Sequence, residues 1–477
     1  MSFYHGCKTL TRRFRLVLAS FLQSDGLPFA DALPEKEIQQ AFDEERVSFG
    51  CDDEGEDAVY TPAVTLWAFL SQMLHKEEQR SCLAAVARVV VLLVALGRKP
   101  CSTNTGAYCR ARAKLPEPVL RRLTLGMAAG CEAAVPRGWL WRGRHVKLVD
   151  GTTVSMPDTE ANQAEYPQHT AQEEGLGFPI ARLVVLFSLA TGMLCDLAMG
   201  PYQGKATGET ALFRELFERL EADDIVLGDR CYCSYFMIAL LKELGVDFVV
   251  RLHQARTADF RRGRRLGKGD HLVEWMRPPK PEWMDQETYE RMPKSIELRE
   301  VLVQVDQPGF RSESLLVVTT LCDAEAYPAA EIAQLYRGRW LAELDIRAIK
   351  ITLDMDVLRC KTPEMVRREL WTHLLAYNLI RRSILQSAQG SGRSPRALSF
   401  TAAMQSLAAS WAVAPLADAT TFTLLVETHL INLRDHCVGH RPDRVEPRAV
   451  KRRPKPHRLL TKPRVEARAE LLAGCST

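Results

Sequence analysis

Apolar positions in the first third of the chain recur at three- and four-residue intervals, the spacing of helices packed on one face. Thr61-Pro62 opens one such helix through Trp67, Phe69 and Leu70, and Ser81 is placed to cap the next. Leu83–Leu96 is almost wholly apolar, but it carries Arg88 and is too short to span a bilayer, so it reads as a buried helix. After a break at Gly97–Pro100 comes a short helix, Thr105–Arg112, carrying Tyr108, Arg110 and Arg112, with Lys114 just beyond. From about residue 145 the texture becomes that of strands. Val146–Val149 is one, and Ala181–Ala190 with Met193–Met199 form a hairpin around Thr191-Gly192. A helix Ala211–Leu220, a strand Ile225–Leu227, a helix Tyr235–Leu244 and a strand Val246–Leu252 follow. Further strands are expected over Ile296–Val305 and Leu315–Leu321, and residues 352–435 read as helical, most clearly over Met365–Ile384. Pattern alone therefore predicts an α/β protein.

One stretch carries chemistry as well as pattern. In Tyr336-Arg-Gly-Arg-Trp-Leu-Ala-Glu-Leu-Asp-Ile-Arg-Ala-Ile-Lys350, a helix at about 100° per residue puts positions 336, 343 and 350 within about 40° of one another. Arg339 and Arg347 flank that line, and Trp340, Leu344, Ala348 and Ile351 form a neighbouring apolar stripe expected to bury the helix. Two readings stand side by side. The face is either solvated and laced by pairs such as Glu343–Arg347, or it holds a carboxylate among cations whose partner is metal-bound phosphate. Upstream, Asp150 in His-Val-Lys-Leu-Val-Asp-Gly-Thr-Thr follows a strand, as does Asp229 in Asp-Ile-Val-Leu-Gly-Asp-Arg-Cys-Tyr. Each has an ordinary structural reading: an Asp-Gly turn for the first, a strand-end or helix-capping aspartate for the second. Arg230, beside Asp229, is placed to contact DNA or to pair with an acid.

The spacing Tyr-x2-Arg-x3-Glu-x6-Lys resembles the signature of the "IS four" family of insertion-sequence transposases, a branch of the DDE transposases. The stretches around Asp150 and Asp229 resemble the family's first and second catalytic aspartate motifs. So does the downstream run Leu-Arg-Cys-Lys-Thr-Pro-Glu-Met-Val followed by Tyr-Asn-Leu-Ile-Arg. By eye the likeness spans roughly residues 60–465. It implies a ribonuclease-H-like core interrupted by a β-rich insertion, with helical regions at both ends. It also implies that Asp150, Asp229 and Glu343 bind metal, and that Tyr336, Arg339 and Lys350 hold phosphates near the scissile bond. The chemistry gives an independent reason for the three acids. In-line attack on a phosphodiester, by water and then by a 3′-hydroxyl, is served by two divalent ions about 4 Å apart. Mg²⁺ (or Mn²⁺) is a hard ion usually held by a few carboxylates with waters and phosphate oxygens.

Divided accordingly, the chain has a helical DNA-binding region over 1–140 and the two parts of the core over 141–252 and 326–390. A β-rich insertion occupies 253–325, a helical region 391–440 and a basic tail 441–477. Length and composition suit a large enzyme: 477 residues, 46% hydrophobic, with a net charge of only +4. The charge is uneven. From Arg441 to Arg464 ten Lys or Arg stand against two acids, which suits a phosphate backbone or a solvated tail. Arg256, Arg261, Arg262, Arg264, Arg265 and Lys268 form a second basic cluster ahead of Trp275 and Trp283. Relatives stack a flipped base on a tryptophan of this insertion, but core packing is the simpler role for these two. The acidic patch 52–57 reads as a solvated loop. Thirteen cysteines without paired CxxC spacing argue against zinc and for reduced thiols in a cytoplasmic protein, nucleoid-associated when on DNA. Residues 16–22 are too short an apolar run for a signal peptide.

The expected partners are terminal inverted repeats, target DNA and a second copy of the chain in the DNA complex, with no membrane. The expected activity is cut-and-paste transposition. A ribonuclease-H-like nuclease without strand joining, and a domesticated or inactive transposase that only binds DNA, are the alternatives.

Overall fold

A computed structural model describes residues 59–60, 62–95, 97–204, 207–304, 314–411, 413–438 and 461–474. The acidic patch, the apolar run at 16–22 and all but the end of the basic tail lie outside them. Helices α1 (Pro62–Met73), α2 (Cys82–Ala95), α3 (Gly106–Ala113) and α4 (Glu117–Ala133) come first. The chain then enters strand β1 (Val146–Ser155), the short helix α5 (Glu160–Glu165), strands β2 (Ile180–Ser188) and β3 (Leu194–Pro201), helix α6 (Glu209–Arg214) and strand β4 (Ile225–Gly228). Helix α7 (Tyr235–Glu243), strands β5 (Asp247–Arg251), β6 (Arg264–Gly267) and β7 (Asp270–Met276), helix α8 (Gln286–Arg291) and strands β8 (Ser295–Gln304) and β9 (Ser314–Thr319) follow. Helices α9 (Ala329–Arg337), α10 (Trp340–Arg347), α11 (Pro363–Gln389), α12 (Phe400–Trp411), α13 (Ala419–Asp435) and α14 (Arg464–Gly474) complete the described chain.

These elements fall into two compact units. The helical unit takes residues 1–143, 190–196 and 344–438; the sheet unit takes 144–189, 197–343 and 439–477, the division falling inside α10. The result is a mixed α/β protein in which the nine strands among the described residues form one sheet, in the order β3-β2-β1-β4-β5-β9-β8-β7-β6.

In the sheet unit the central strands are apolar on both faces, as a covered sheet requires: Ile225, Val226 and Leu227 of β4 and Phe248, Val249 and Val250 of β5 are all buried. β1 runs parallel to β4 only over Val146–Leu148, opposite Ile225–Leu227. On its other side it pairs antiparallel with β2 along its length, from Lys147↔Ser188 to Ser155↔Ile180. The predicted strand Val146–Val149 is therefore too short. The chain does not turn at Asp150-Gly151; the ladder to β2 carries it straight on to Ser155. β9, β8, β7 and β6 continue the same sheet beyond β5 through antiparallel ladders.

The expected single helix through residues 336–350 is in three pieces. Around Gly338 the winding tightens, with the N–H groups of Gly338, Arg339, Leu341 and Ala342 each reaching back three residues. A Cβ at Gly338 would stand 2.9 Å from the Leu335 carbonyl and 3.1 Å from Leu189, so the join admits only glycine without a shift. Beyond α10 the chain loosens into a π-helical turn over Ala348–Thr352. The apolar stripe is also corrected. Of its four residues Ala348 is buried as expected, but Trp340 is 49% exposed, Leu344 42% and Ile351 56%, and the other buried positions are Ala342, Asp345 and Ile349. The winding carries different residues inward than a uniform helix would.

In the helical unit α11 is the axis. Thr362 caps it by accepting from Met365 N, with Pro363 in the first turn. The Asn378 amide accepts from Leu194 N at 2.9 Å and donates to the Thr124 and Leu194 carbonyls at 3.0 and 3.1 Å. Tyr377 donates to the Gly192 carbonyl at 2.7 Å. Gly192, at φ +75°, makes the turn expected between β2 and β3.

Candidate active site

Asp150 lies in mid-strand, opposite Val185 of β2 and just past the last residue of β1 that pairs with β4. Asp229 is the residue after β4, and its side chain caps no N–H of the turn Arg230–Tyr232 that follows. Two neighbouring parallel strands thus deliver the two aspartates from the same end of their shared ladder. Glu343 comes from the first turn of α10.

The three acids share one electrostatic neighbourhood. Burial pushes the Asp150 carboxyl up to about 6; the Arg339 guanidinium and the Gly151 N–H pull it down, and the charges of Glu343 and Asp229 push it up again. Arg339 stands between two of them, with one guanidinium nitrogen 2.6 Å from Glu343 Oε1 and the other 3.6 Å from Asp150 Oδ2. Burial weakens its charge, but Tyr336, Glu343, Asp150 and Asp229 outweigh burial and hold it more basic than usual. Arg339 occupies the place where a cation relieves this crowding.

Tyr336 is buried, and its hydroxyl donates to the Gly228 carbonyl at 3.4 Å, bracing the strand end that carries Asp229. Lys350 and Arg347 belong to the helical unit. There the Lys350 ammonium pairs with Asp356 at 2.7 Å, and Arg347 is exposed. Arg230 is exposed beside Asp229.

Of the expected DNA-facing groups, Arg112 packs over Phe69 and Tyr108 and donates toward Gln72, whereas Arg110 remains exposed. Trp275 is buried under Arg256, whose guanidinium lies 3.8 Å above its ring. Trp283 is 45% exposed beneath Arg214. Arg261 and Arg262 pair with Asp259, and Arg264 and Arg265 are exposed on β6.

Two groups at the site were not legible in the sequence. The Glu209 carboxylate, from the start of α6, sits against Gly151: a Cβ there would be 2.4 Å from its carboxyl carbon. Tyr232 is fully buried, and its hydroxyl has no hydrogen-bond partner among the described residues. Gly151 and Tyr232 both lie inside the motifs already marked, but neither periodicity nor spacing points to Glu209.

The family model described as "Transposase DDE domain" matches residues 141–379, half of the chain and the whole span that delivers these acids. The transposase InsG of insertion sequence element IS4 from Escherichia coli is 28% identical over 70% of this chain and 73% of its own length. The transposase of insertion sequence element IS421, also from Escherichia coli, is 39% identical over a shorter segment, 14% of this chain and 18% of that one. A structure of the piggyBac transposase synaptic complex with hairpin DNA aligns over 88% of this chain and 85% of its own, at 11% identity and a TM-score of 0.42. The chain belongs to the DDE transposases, a class of polynucleotidyl transferases, and within them to the IS4 family of insertion-sequence transposases. No helix among the described residues is long and apolar enough to cross a membrane.

Proposed function

We propose that this transposase binds the terminal inverted repeats of its own element, cuts them, and joins the freed 3′ ends to target DNA, with Asp150, Asp229 and Glu343 as its catalytic acids. The reading rests on one observation: three carboxylates, from the middle of β1, the end of β4 and the first turn of α10, share one electrostatic neighbourhood with a single arginine. The proposal includes a ribonuclease-H-like core formed by 141–252 and 326–390, interrupted by 253–325 and flanked by helical regions at 1–140 and 391–440 with a basic tail at 441–477. The sheet order and the two aspartates on neighbouring parallel strands support it.

The donor set suits hard divalent cations. Every candidate ligand is a carboxylate oxygen, and mutual repulsion makes the cluster a place where positive charge is favoured. Among the described residues no group of three or more His, Cys, Asp or Glu is placed so that it could hold a metal ion as it stands. Arg339 fills that electrostatic role instead, and it would move to a phosphate oxygen when a metal takes the acids. Mg²⁺ or Mn²⁺, two ions, held by Asp150, Asp229 and Glu343 would supply activation of the attacking oxygen and stabilisation of the leaving one.

The remaining work falls to the protein. Arg339, a rigid fork, suits a phosphate bidentately, while Lys350 acts as a point charge. Tyr336 keeps the Asp229 turn in place through Gly228. Arg347 and Arg230 are further phosphate contacts, and two protomers assemble on the paired ends. Cytoplasmic action on the nucleoid follows from such a substrate. The test is a plasmid carrying the element's ends, incubated with full-length protein and Mg²⁺ or Mn²⁺ beside Asp150→Ala. Metal-dependent cuts at paired inverted repeats, then joining, both absent in the variant, are expected. Cutting without joining would leave a nuclease, and binding without cutting a DNA-binding regulator.

A further inference from the structure

We propose that Glu209 is a fourth carboxylate of the same divalent-ion site, brought in by α6 across the bare backbone of Gly151. This rests on the metal reading above and adds to it a ligand from a helix outside the three acidic motifs.

Glu209 touches the chain beside both aspartates at once. At Gly151, next to Asp150, a Cβ would come within 2.7 and 2.8 Å of its two carboxylate oxygens, so the carboxylate occupies the space a side chain would fill. At the other side its Oε2 accepts from the Cys231 thiol at 3.5 Å, two residues beyond Asp229. A carboxylate placed there for structure alone would be expected to find a cation. What it meets is a thiol, a weak donor.

The second observation is independent of any acid. The Tyr232 hydroxyl is sealed from solvent without a hydrogen-bond partner among the described residues. After burial itself, the charges that most oppose its ionisation are those of Cys231, Glu209, Asp150 and Asp229. A buried donor left unpaired costs about 1–3 kcal/mol. A water of hydration on an ion held by these carboxylates would accept from it. The same ion would offset the repulsion among four acids.

The size of residue 151 follows from the same contact. Gly151 has ordinary extended backbone, with no left-handed φ to demand glycine. Its absent side chain is what lets the Glu209 carboxylate approach.

The experiment is Mn²⁺ titration of the full-length protein on element-end duplex, read by the paramagnetic resonance signal of free Mn²⁺, with thermal unfolding in metal-free buffer as the fold control. Wild type, Glu209→Gln, Gly151→Ala and Asp150→Ala are compared. Glu209→Gln is expected to weaken Mn²⁺ binding about tenfold without lowering metal-free stability, and Gly151→Ala, which displaces the carboxylate but keeps it, is expected to do the same. Mn²⁺ binding equal to wild type in both, with loss only in Asp150→Ala, would overturn the role of Glu209 and leave the three-acid site standing. Equal binding in all four proteins, or none in wild type, would overturn the metal reading and this proposal together.

Discussion

Two aspartates show how differently a structural position and the candidate site treat charge. Asp345, in the helical unit, is fully buried and paired with two arginines, Arg381 and Arg396, the latter 2.8 Å away. Asp150, in the sheet unit, is only partly buried, and its nearest cation is 3.6 Å off and shared with Glu343, while Asp229 and Glu343 add charge of its own sign. The want of a cation is particular to the site, because elsewhere in the sheet unit buried Asp270 pairs with Arg299 at 2.6 Å. In the helical unit Arg80 meets Asp354 at 2.9 Å and Glu369 at 3.1 Å, so opposite charges neutralise each other in place. A region whose task is to hold its shape pairs its ions. A region prepared for a charged ligand leaves them in want of one.

The largest effect should come from the acid proposed to serve chemistry. Glu343→Gln keeps a hydrogen-bonding group beside Arg339 but removes the charge. Strand cutting on element-end DNA is expected to fall about a thousandfold, the equivalent of about 4 kcal/mol of lost transition-state stabilisation. End binding by gel shift should stay near wild type. Parallel loss of binding and cutting would show that Glu343 serves structure, and the contrast between structural position and site would collapse.

Next in size is the acid that serves structure. Asp345→Ala takes the shared anion from the buried Arg381 and the half-buried Arg396, which costs about 3–5 kcal/mol. Denaturant unfolding should show that loss, whereas Asp150→Asn, relieving repulsion, should leave stability unchanged or higher. A stable Asp345→Ala protein would remove the basis of the comparison.

The smallest effect is graded by pH. His373 is buried against Arg80, which donates to its Nε2 at 3.1 Å, while its Nδ1 donates to the Glu369 carbonyl at 2.9 Å. Burial, then Arg80, lowers its pKa to about 3, and burial lowers that of His429 to about 4. Both are neutral in the folded chain and titrate near 6.5 when unfolded. Their contribution is therefore whole above pH 6.5 and declines as pH falls toward 3–4. Each costs up to about 1.4 kcal/mol per pH unit in that window. Urea midpoints between pH 7 and 5 should fall, and His373→Gln should flatten the slope; an unchanged slope would mean that His373 is protonated in the fold.

How much of this could be read in the sequence depended on whether the signal was local. The hairpin β2–β3, α7 and the long helix α11 are written in short-range periodicity and end signals, and they lie within a few residues of expectation. That Asp150, Asp229 and Glu343 belong together could be expected because each sits in a recognisable run, and the structure brings them into one electrostatic neighbourhood. Glu209 was not, because α6 is short and its acid matters only through the approach to Gly151, a contact between distant segments. The extent of β1 was hidden for the same reason: Asp-Gly favours a turn locally, and only the ladder to β2 overrules it. The exposed Trp340 was misjudged because a uniform helical wheel cannot anticipate tight winding at Gly338 and a π turn ten residues later.

The strand at the far end of the sheet has a consequence for how copies of the protein meet. β6 closes the strand order and is short, with Arg264 and Arg265 both exposed along it. An unpaired strand edge is ordinarily an open template for a neighbour's backbone, but two adjacent positive charges make a second identical edge repel rather than join. Two copies of the protein that meet are thereby kept from zipping together through their sheets.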